Sequence, residues 1–368
     1  MPSSPDLSAN AYGFGARLLH RVALGSRGGM EAAFDLERSR FGKASPAVVA
    51  PIFVCGLARA GTTILMRALH ASGAFASLTY RDMPFPLAPN MWAQFNAGRG
   101  SVAAQERSHG DGIVHDLDSP EAIEEVFWRC FAGDAYIRPD RLLAADPGKD
   151  ALERIRPYLA LVLRRYGRSR YLSKNNNNIL RLSGLVRAFP DAVLLHPFRH
   201  PLEQAASLLN QHRHTVAQQR RDPFVARYMR DLAHHEFGLD HRPFAVGEAI
   251  GERNPDSLGY WLDYWVAVHR HLLDQPQAVQ ARQAFIDYDA LGTVPGDAGA
   301  SIARAAGLTE AAPVDWRAPP AWVGADAPLP QRVAEVYEQL RRRTAWEAAA
   351  WSASISSSGA TRPGAPPR

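Results

Sequence analysis

Short apolar runs alternate with long stretches of helical periodicity along this chain. Residues 48–54 are almost purely apolar, the pattern of a strand covered on both faces in a parallel sheet. Directly afterwards Leu65, Ala68 and Leu69 share one helical face, and Gly73 is placed to stop that helix. Further strands are predicted at 171–173, ending at Lys174, at 192–196 and at 284–288. Helical spacing covers 151–166, 179–189, 201–219, 223–237, 256–274 and 297–306. Strand followed by helix followed by strand is the order of a parallel sheet with crossovers. The fold class predicted is α/β, with a central parallel sheet flanked by helices in three layers and helical insertions.

The same patterning divides the chain. Residues 16–24 and 30–41 have helical spacing around Gly25-Ser26-Arg27-Gly28-Gly29, which makes 1–46 an N-terminal helical extension. An α/β domain is expected over 47–350. Residues 351–368, rich in Ser, Gly, Ala and Pro, read as a disordered tail. Between 74 and 119 periodicity is sparse, and loops of that length in a compact domain are usually functional or mobile. Ser119 as N-cap, Pro120 in first position and Glu121 in the first turn open a helix to about Phe131.

Composition narrows the function. The chain has 368 residues, 46% of them hydrophobic, enough for one large core. Its 42 Lys and Arg against 37 Asp and Glu leave +5, which suits a small anionic ligand and is too little to demand nucleic acid. Two cysteines, Cys55 and Cys130, lie far apart and form no CxxC pair, so neither a disulfide scaffold nor a thiolate zinc site is expected. The apolar run at 18–24 is short and interrupted by charge, so a cytoplasmic chain without signal peptide or transmembrane segment is expected.

The chemistry gathers at Gly56-Leu57-Ala58-Arg59-Ala60-Gly61-Thr62-Thr63. Two glycines five positions apart between strand and helix have P-loop spacing, in which successive backbone N–H groups and a helix N-terminus converge on an anion. Ala60 and Gly61 bring backbone close, and Thr62 and Thr63 add hydroxyl donors. A nucleotide-cleaving loop carries Lys where Thr62 stands. Here the cation is Arg59, inside the loop.

Arg59-Ala60-Gly61-Thr62-Thr63 resembles the 5′-phosphosulfate loop of sulfotransferases that use 3′-phosphoadenosine 5′-phosphosulfate. Cytosolic members carry Lys before Ser-Gly-Thr-Thr, whereas tyrosylprotein-type and several bacterial members carry Arg, as here. The family's second motif is an apolar strand, an Arg at its end, then Pro, then Ser eight residues after the Arg. It is matched by Val193-Leu194-Leu195-His196-Pro197-Phe198 followed by Arg199, with Pro201 and Ser207. The resemblance implies that Arg199 and Ser207 hold the donor's 3′-phosphate, through a charged fork and a hydroxyl. Phe285-Ile286-Asp287-Tyr288 resembles the segment whose Tyr approaches the nucleotide. The likeness spans about 50–308, with one departure. Pro197 stands where the family keeps an apolar strand residue, and proline lacks a ladder donor, so the strand is expected to end or bulge at His196.

Sulfuryl transfer requires cations at the leaving oxygen and a base for the acceptor's proton. Arg59 and Lys174 are the candidate cations, Lys174 because its place before a helix resembles the tyrosylprotein-type pattern; an exposed surface Lys is the other reading. The resemblance implies an acid after the loop as base, and Asp82 is the carboxylate in that region; a turn-forming Asp or a salt bridge to Arg81 is an equal reading. Other family members use a His further on, which points to His109 or to His115, with His109 ranked ahead. Asn175 to Asn178 either cap the next helix or line a polar site. His234, His235, Glu236, Asp240 and His241 include ligand types, but neighbours on a helix diverge by about 100°, so no metal is expected. Trp261, Tyr264 and Trp265 read as a core stripe. The function expected is transfer to an acceptor hydroxyl, less readily an amine, of a small molecule, carbohydrate or peptide. The competing readings are a P-loop nucleotide kinase or NTPase, and an inactive nucleotide-binding protein of the same fold. No oligomeric state is legible.

Overall fold

Ile52, Phe53 and Val54 form the central strand of a five-stranded parallel sheet. The computed structural model describes residues 14–96, 105–106, 114–115, 123–247, 250–251, 253–293, 295–308 and 328–344. In chain order the strands are β1 (Ile52–Val54), β2 (Phe75–Ala76), β3 (Gln105–Glu106), β4 (Val114–His115), β5 (Leu142–Leu143), β6 (Arg170–Lys174), β7 (Val193–Phe198), β8 (Phe244–Ala245) and β9 (Gln283–Asp287). The main sheet runs β2-β6-β1-β7-β9; β3 with β4 and β5 with β8 make two small separate ladders. In register, Val54 of β1 faces Lys174 on one side and Leu195 on the other.

The continuous apolar pattern of β1 has the expected cause, because both faces are covered. Phe53 belongs to a large core with α5 (Glu125–Tyr136), α6 (Lys149–Tyr166), α8 (Pro201–Arg221) and α10 (Leu258–Leu273). Ile52 and Val54 belong to a smaller core against α3 (Thr62–Ala71) and the helix Pro295–Ala305. Helices on both faces of a parallel sheet give the three layers predicted.

The segment before the sheet is helical, as α1 (Phe14–Leu24) and α2 (Arg27–Phe41). Ser26 accepts from Gly29 N at the start of α2, at 3.3 Å. Helix α2 is woven into the main core. Its Phe34 meets Phe127, Phe131 and Tyr158 edge-on. Its buried Glu37 accepts from the backbone N of Asn90 at 2.7 Å and of Met91 at 2.9 Å, anchoring the start of α4 (Pro89–Asn96).

Several predicted boundaries move. The first strand is confined to 52–54, because Pro51 has no N–H and Ala50 sits at φ 41°. Residues 179–189 split into a 3-10 stretch, Asn176–Arg181, and α7 (Leu182–Ala188). The helix predicted at 223–237 stops as α9 (Pro223–Asp231), and Ala233 at φ 54° turns the chain away. The proposed capping residues Ser119, Pro120 and Glu121 lie outside the described residues; α5 continues past Phe131 to Tyr136. The tail 351–368 also lies outside them. Among the described residues no helix is long and apolar enough to cross a membrane.

Candidate active site

Ligands of parallel α/β sheets collect at the carboxyl ends of the strands, where connections diverge. Four such ends lie on the same edge of the sheet, the loop after β1, Lys174 of β6, Arg199 after β7 and Tyr288 after β9.

The loop after β1 has the backbone its sequence implies. Arg59 takes φ 66° and Gly61 φ 82°, both left-handed. Gly61 immediately precedes α3 and carries no side chain to cap it, so an anion can take that role. A Cβ at Gly61 would overlap the Tyr288 ring, and one at Gly56 would lie 2.8 Å from the Pro197 carbonyl oxygen. The glycines are therefore needed for close approach as well as for conformation.

Arg59 Nε donates to Ser207 Oγ at 3.1 Å. That bond joins the loop to the first turns of α8, across 148 positions of sequence. Arg199 is held by two carboxylates, with Nη2 2.6 Å from Glu203 and Nε 3.3 Å from Asp289. Its guanidinium also lies 5.9 Å over the Tyr288 ring centroid. The second oxygen of Asp289 accepts from His200 N at 2.7 Å. Burial, and then neighbouring Asp289, push the Asp287 carboxyl up to about 6.

Contrary to expectation, the strand before Arg199 neither ends nor bulges at His196. It continues to Phe198, paired through Pro197 with Ile286 and through Phe198 with Asp287. Val193 N donates toward β1, to Pro51 O at 2.9 Å, and Leu194 N toward β9, to Arg282 O at 2.8 Å. By that alternation residue 197 faces β1, which has already turned into the loop. The missing donor is replaced, because His196 Nδ1 donates to Cys55 O at 2.7 Å. Nε2 of the same ring accepts from Gln283 at 3.1 Å, which fixes the tautomer. Burial keeps His196 neutral, its pKa lowered to about 4.

Lys174 ends β6 one strand from the loop, and Asn175 N continues the ladder to Val54 O at 3.0 Å. Of the two roles considered for the asparagines after it, the structure shows the capping one. Asn175 caps the 3-10 stretch by accepting from Asn177 N at 3.1 Å. Its amide also donates to Glu125 at 2.7 Å, and Asn178 donates to Glu124 at 3.0 Å. Both glutamates are buried; Tyr171 donates to Glu124 at 2.9 Å, and Arg181 and Tyr136 donate to Glu125. Glu124 and Glu125 were not singled out in the sequence, although adjacent acids between Ile123 and Val126 were a usable signal of buried charge.

Asp82 is 1% exposed and closes the 3-10 turn Tyr80–Asp82 with a reciprocal cap to Thr79. One oxygen accepts from Thr79 N at 2.9 Å and Tyr166 OH at 2.6 Å, and Arg165 lies 3.6 Å from the other. His109 lies outside the described residues, and of His115 only the backbone, in β4, is described. The ligand-type residues at 234–241 are not on a helix, contrary to the spacing argument. His235 Nδ1 sits 3.2 Å from Asp240, and His241 Nε2 2.7 Å from Tyr260 OH. Among the described residues no group of three or more metal-capable side chains is arranged around a common point. Trp261, Tyr264 and Trp265 are buried core.

A family model described as "Sulfotransferase family" matches residues 51–311. No curated protein sequence matches the chain. Among solved structures, sulfotransferase STF1 from Mycobacterium tuberculosis shares 18% identity over 89% of this chain and 86% of its own, with TM-score 0.44. Sulfotransferase STF9 from Mycobacterium avium shares 16% over 92% and 79%, with TM-score 0.43. A sulfotransferase from Alicyclobacillus acidocaldarius shares 13% over 82% and 95%, with TM-score 0.33. The match over 51–311, which contains the loop, Lys174, Arg199, Ser207 and Tyr288, shows that this chain belongs to the sulfotransferase family.

Proposed function

We propose that the chain moves a sulfuryl group from 3′-phosphoadenosine 5′-phosphosulfate to an acceptor hydroxyl, or less readily an amine, by in-line transfer. The observation that carries the reading is the Arg59–Ser207 hydrogen bond, which unites the 5′-phosphate loop with the 3′-phosphate motif. The residues suit such a donor. The N–H groups of Ala60, Gly61, Thr62 and Thr63 and the start of α3 receive the 5′-phosphosulfate. Arg199 and Ser207 receive the 3′-phosphate, and Tyr288 lies along the nucleotide.

The acceptor oxygen attacks sulfur as the bond from sulfur to the bridging phosphate oxygen breaks. Arg59 and Lys174 neutralise the charge that develops on that oxygen. The acceptor's proton goes to a base, for which Asp82 and His109 are the candidates. Adenosine 3′,5′-bisphosphate departs. The acceptor belongs to the small-molecule, carbohydrate or peptide classes, and Arg59 in the loop favours the tyrosylprotein-type pattern.

Calorimetry tests the reading. Tight binding of adenosine 3′,5′-bisphosphate without magnesium, with ATP much weaker, is expected. ATP bound in preference to the bisphosphate would instead support the kinase or NTPase reading.

A further inference from the structure

Gln204, in the first turn of α8, is fully buried and makes four side-chain hydrogen bonds. Its Nε2 donates to Ala58 O at 3.0 Å and Leu57 O at 3.4 Å, both in the phosphate loop. Its Oε1 accepts from Arg199 N at 3.2 Å and from Trp265 Nε1 at 3.0 Å. Two acceptors on one side and two donors on the other allow one orientation of the amide, since a flip would set donor against donor. A trans peptide points its C=O and N–H in opposite directions. Holding the carbonyls of Leu57 and Ala58 toward α8 therefore turns the N–H groups of Ala58 and Arg59 away from it. One side chain thus fixes the loop that begins one phosphate subsite and the residue that begins the other.

We propose that Gln204 is a positioning residue that sets the separation of the two phosphate subsites, and so selects a nucleotide carrying phosphate at both its 5′ and 3′ positions. This rests on the donor reading above. A ligand gripped at two ends gains from the second contact only when the spacing matches, because that contact is then intramolecular. Each subsite has its own donors, so loss of the brace spoils the spacing while leaving either end able to bind alone.

The test is calorimetry with adenosine 3′,5′-bisphosphate, adenosine 5′-phosphate and adenosine 3′-phosphate, on the native chain and on Gln204→Met, which keeps the volume and removes all four bonds. Bisphosphate affinity is expected to fall by roughly 30-fold, while each monophosphate changes by less than about threefold. A merely structural role would lower all three in parallel, and a parallel loss overturns the proposal. So does a native preference for the bisphosphate that Gln204→Met retains. A native chain with no such preference overturns the donor reading itself, and this inference with it. Trp265→Phe removes one bond and leaves Gln204 in place, which serves if Gln204→Met does not fold. It should show the same selective loss at about threefold to tenfold, and a uniform loss again overturns the proposal.

Discussion

His196 Nδ1 donates to the Cys55 carbonyl at 2.7 Å, supplying from a side chain the bond that Pro197 cannot make. The ring must stay neutral to keep this pattern, because its Nε2 accepts from Gln283. Burial lowers its pKa to about 4, and lowers those of His241 and His269 to about 4 and about 3. A histidine with a lower pKa folded than unfolded binds protons better once unfolded. Its contribution is therefore complete above the unfolded value near 6.5 and is lost as pH falls toward 4. Asp287, with its carboxyl pushed up to about 6, acts in the opposite direction and offsets part of the loss. The urea-derived unfolding free energy should drop between pH 7.5 and 5, His196 alone accounting for about 2 kcal/mol of the drop. His196→Gln should flatten that drop. A free energy independent of pH, or an unchanged slope in the variant, contradicts the assignment.

Arg199 and Ser207 are proposed to hold the 3′-phosphate, and the proposal has a selective signature. Arg199→Ala should weaken adenosine 3′,5′-bisphosphate by about 10- to 100-fold, the scale of a lost charge-assisted bond. Binding of adenosine 5′-phosphate should hardly change. Titration of both nucleotides against both proteins reads the difference. Equal losses for the two would remove Arg199 from the 3′ site.

Asp82 and His109 are best assayed one at a time. Replacing the true base should lower turnover by about 10²- to 10⁴-fold and leave nucleotide affinity intact. Asp82→Asn has a second expected effect, because Asp82 also locks the Tyr80–Asp82 turn to Tyr166. Its thermal midpoint must be measured alongside turnover. Near-native turnover in both Asp82→Asn and His109→Ala, with the bisphosphate still bound, would leave neither as the base.

Glu125 and Arg181 form a buried ion pair at 2.9 Å, with side chains 1% and 3% exposed. Removing one partner strands the other, at a cost of about 3–5 kcal/mol. Glu125→Gln should therefore lower the urea-derived unfolding free energy by that amount, and replacing both residues by Met should recover much of it. Equal destabilisation by single and double variants would mean that Asn175 and Tyr136, rather than the charge pair, carry the effect.

The sheet and the loop were legible because their signals are local. An unbroken apolar run, two glycines at fixed spacing and an Arg before a helix each say what they are without their partners. Lys174 is a candidate through family resemblance, by its place at a short strand's end before a helix. What the sequence concealed is what depends on meeting a distant group. Gln204 reads as any polar residue in a helix until Leu57, Ala58, Arg199 and Trp265 surround it. Pro197 looked like a strand terminator because no periodicity shows which neighbour its missing N–H faces. Strands β2, β5 and β8, two residues each, are too short to carry any period.

Arg199 pairs with both Glu203 and Asp289. On the donor reading, a 3′-phosphate entering there exchanges one set of ion pairs for another. The affinity gained is a difference, smaller than an open guanidinium would give. The same pair helps departure, since the carboxylates are in place to reclaim the arginine as the phosphate withdraws. If that reading holds, the pocket carries its own competitor for the spent nucleotide, and such competition would shorten the nucleotide's residence.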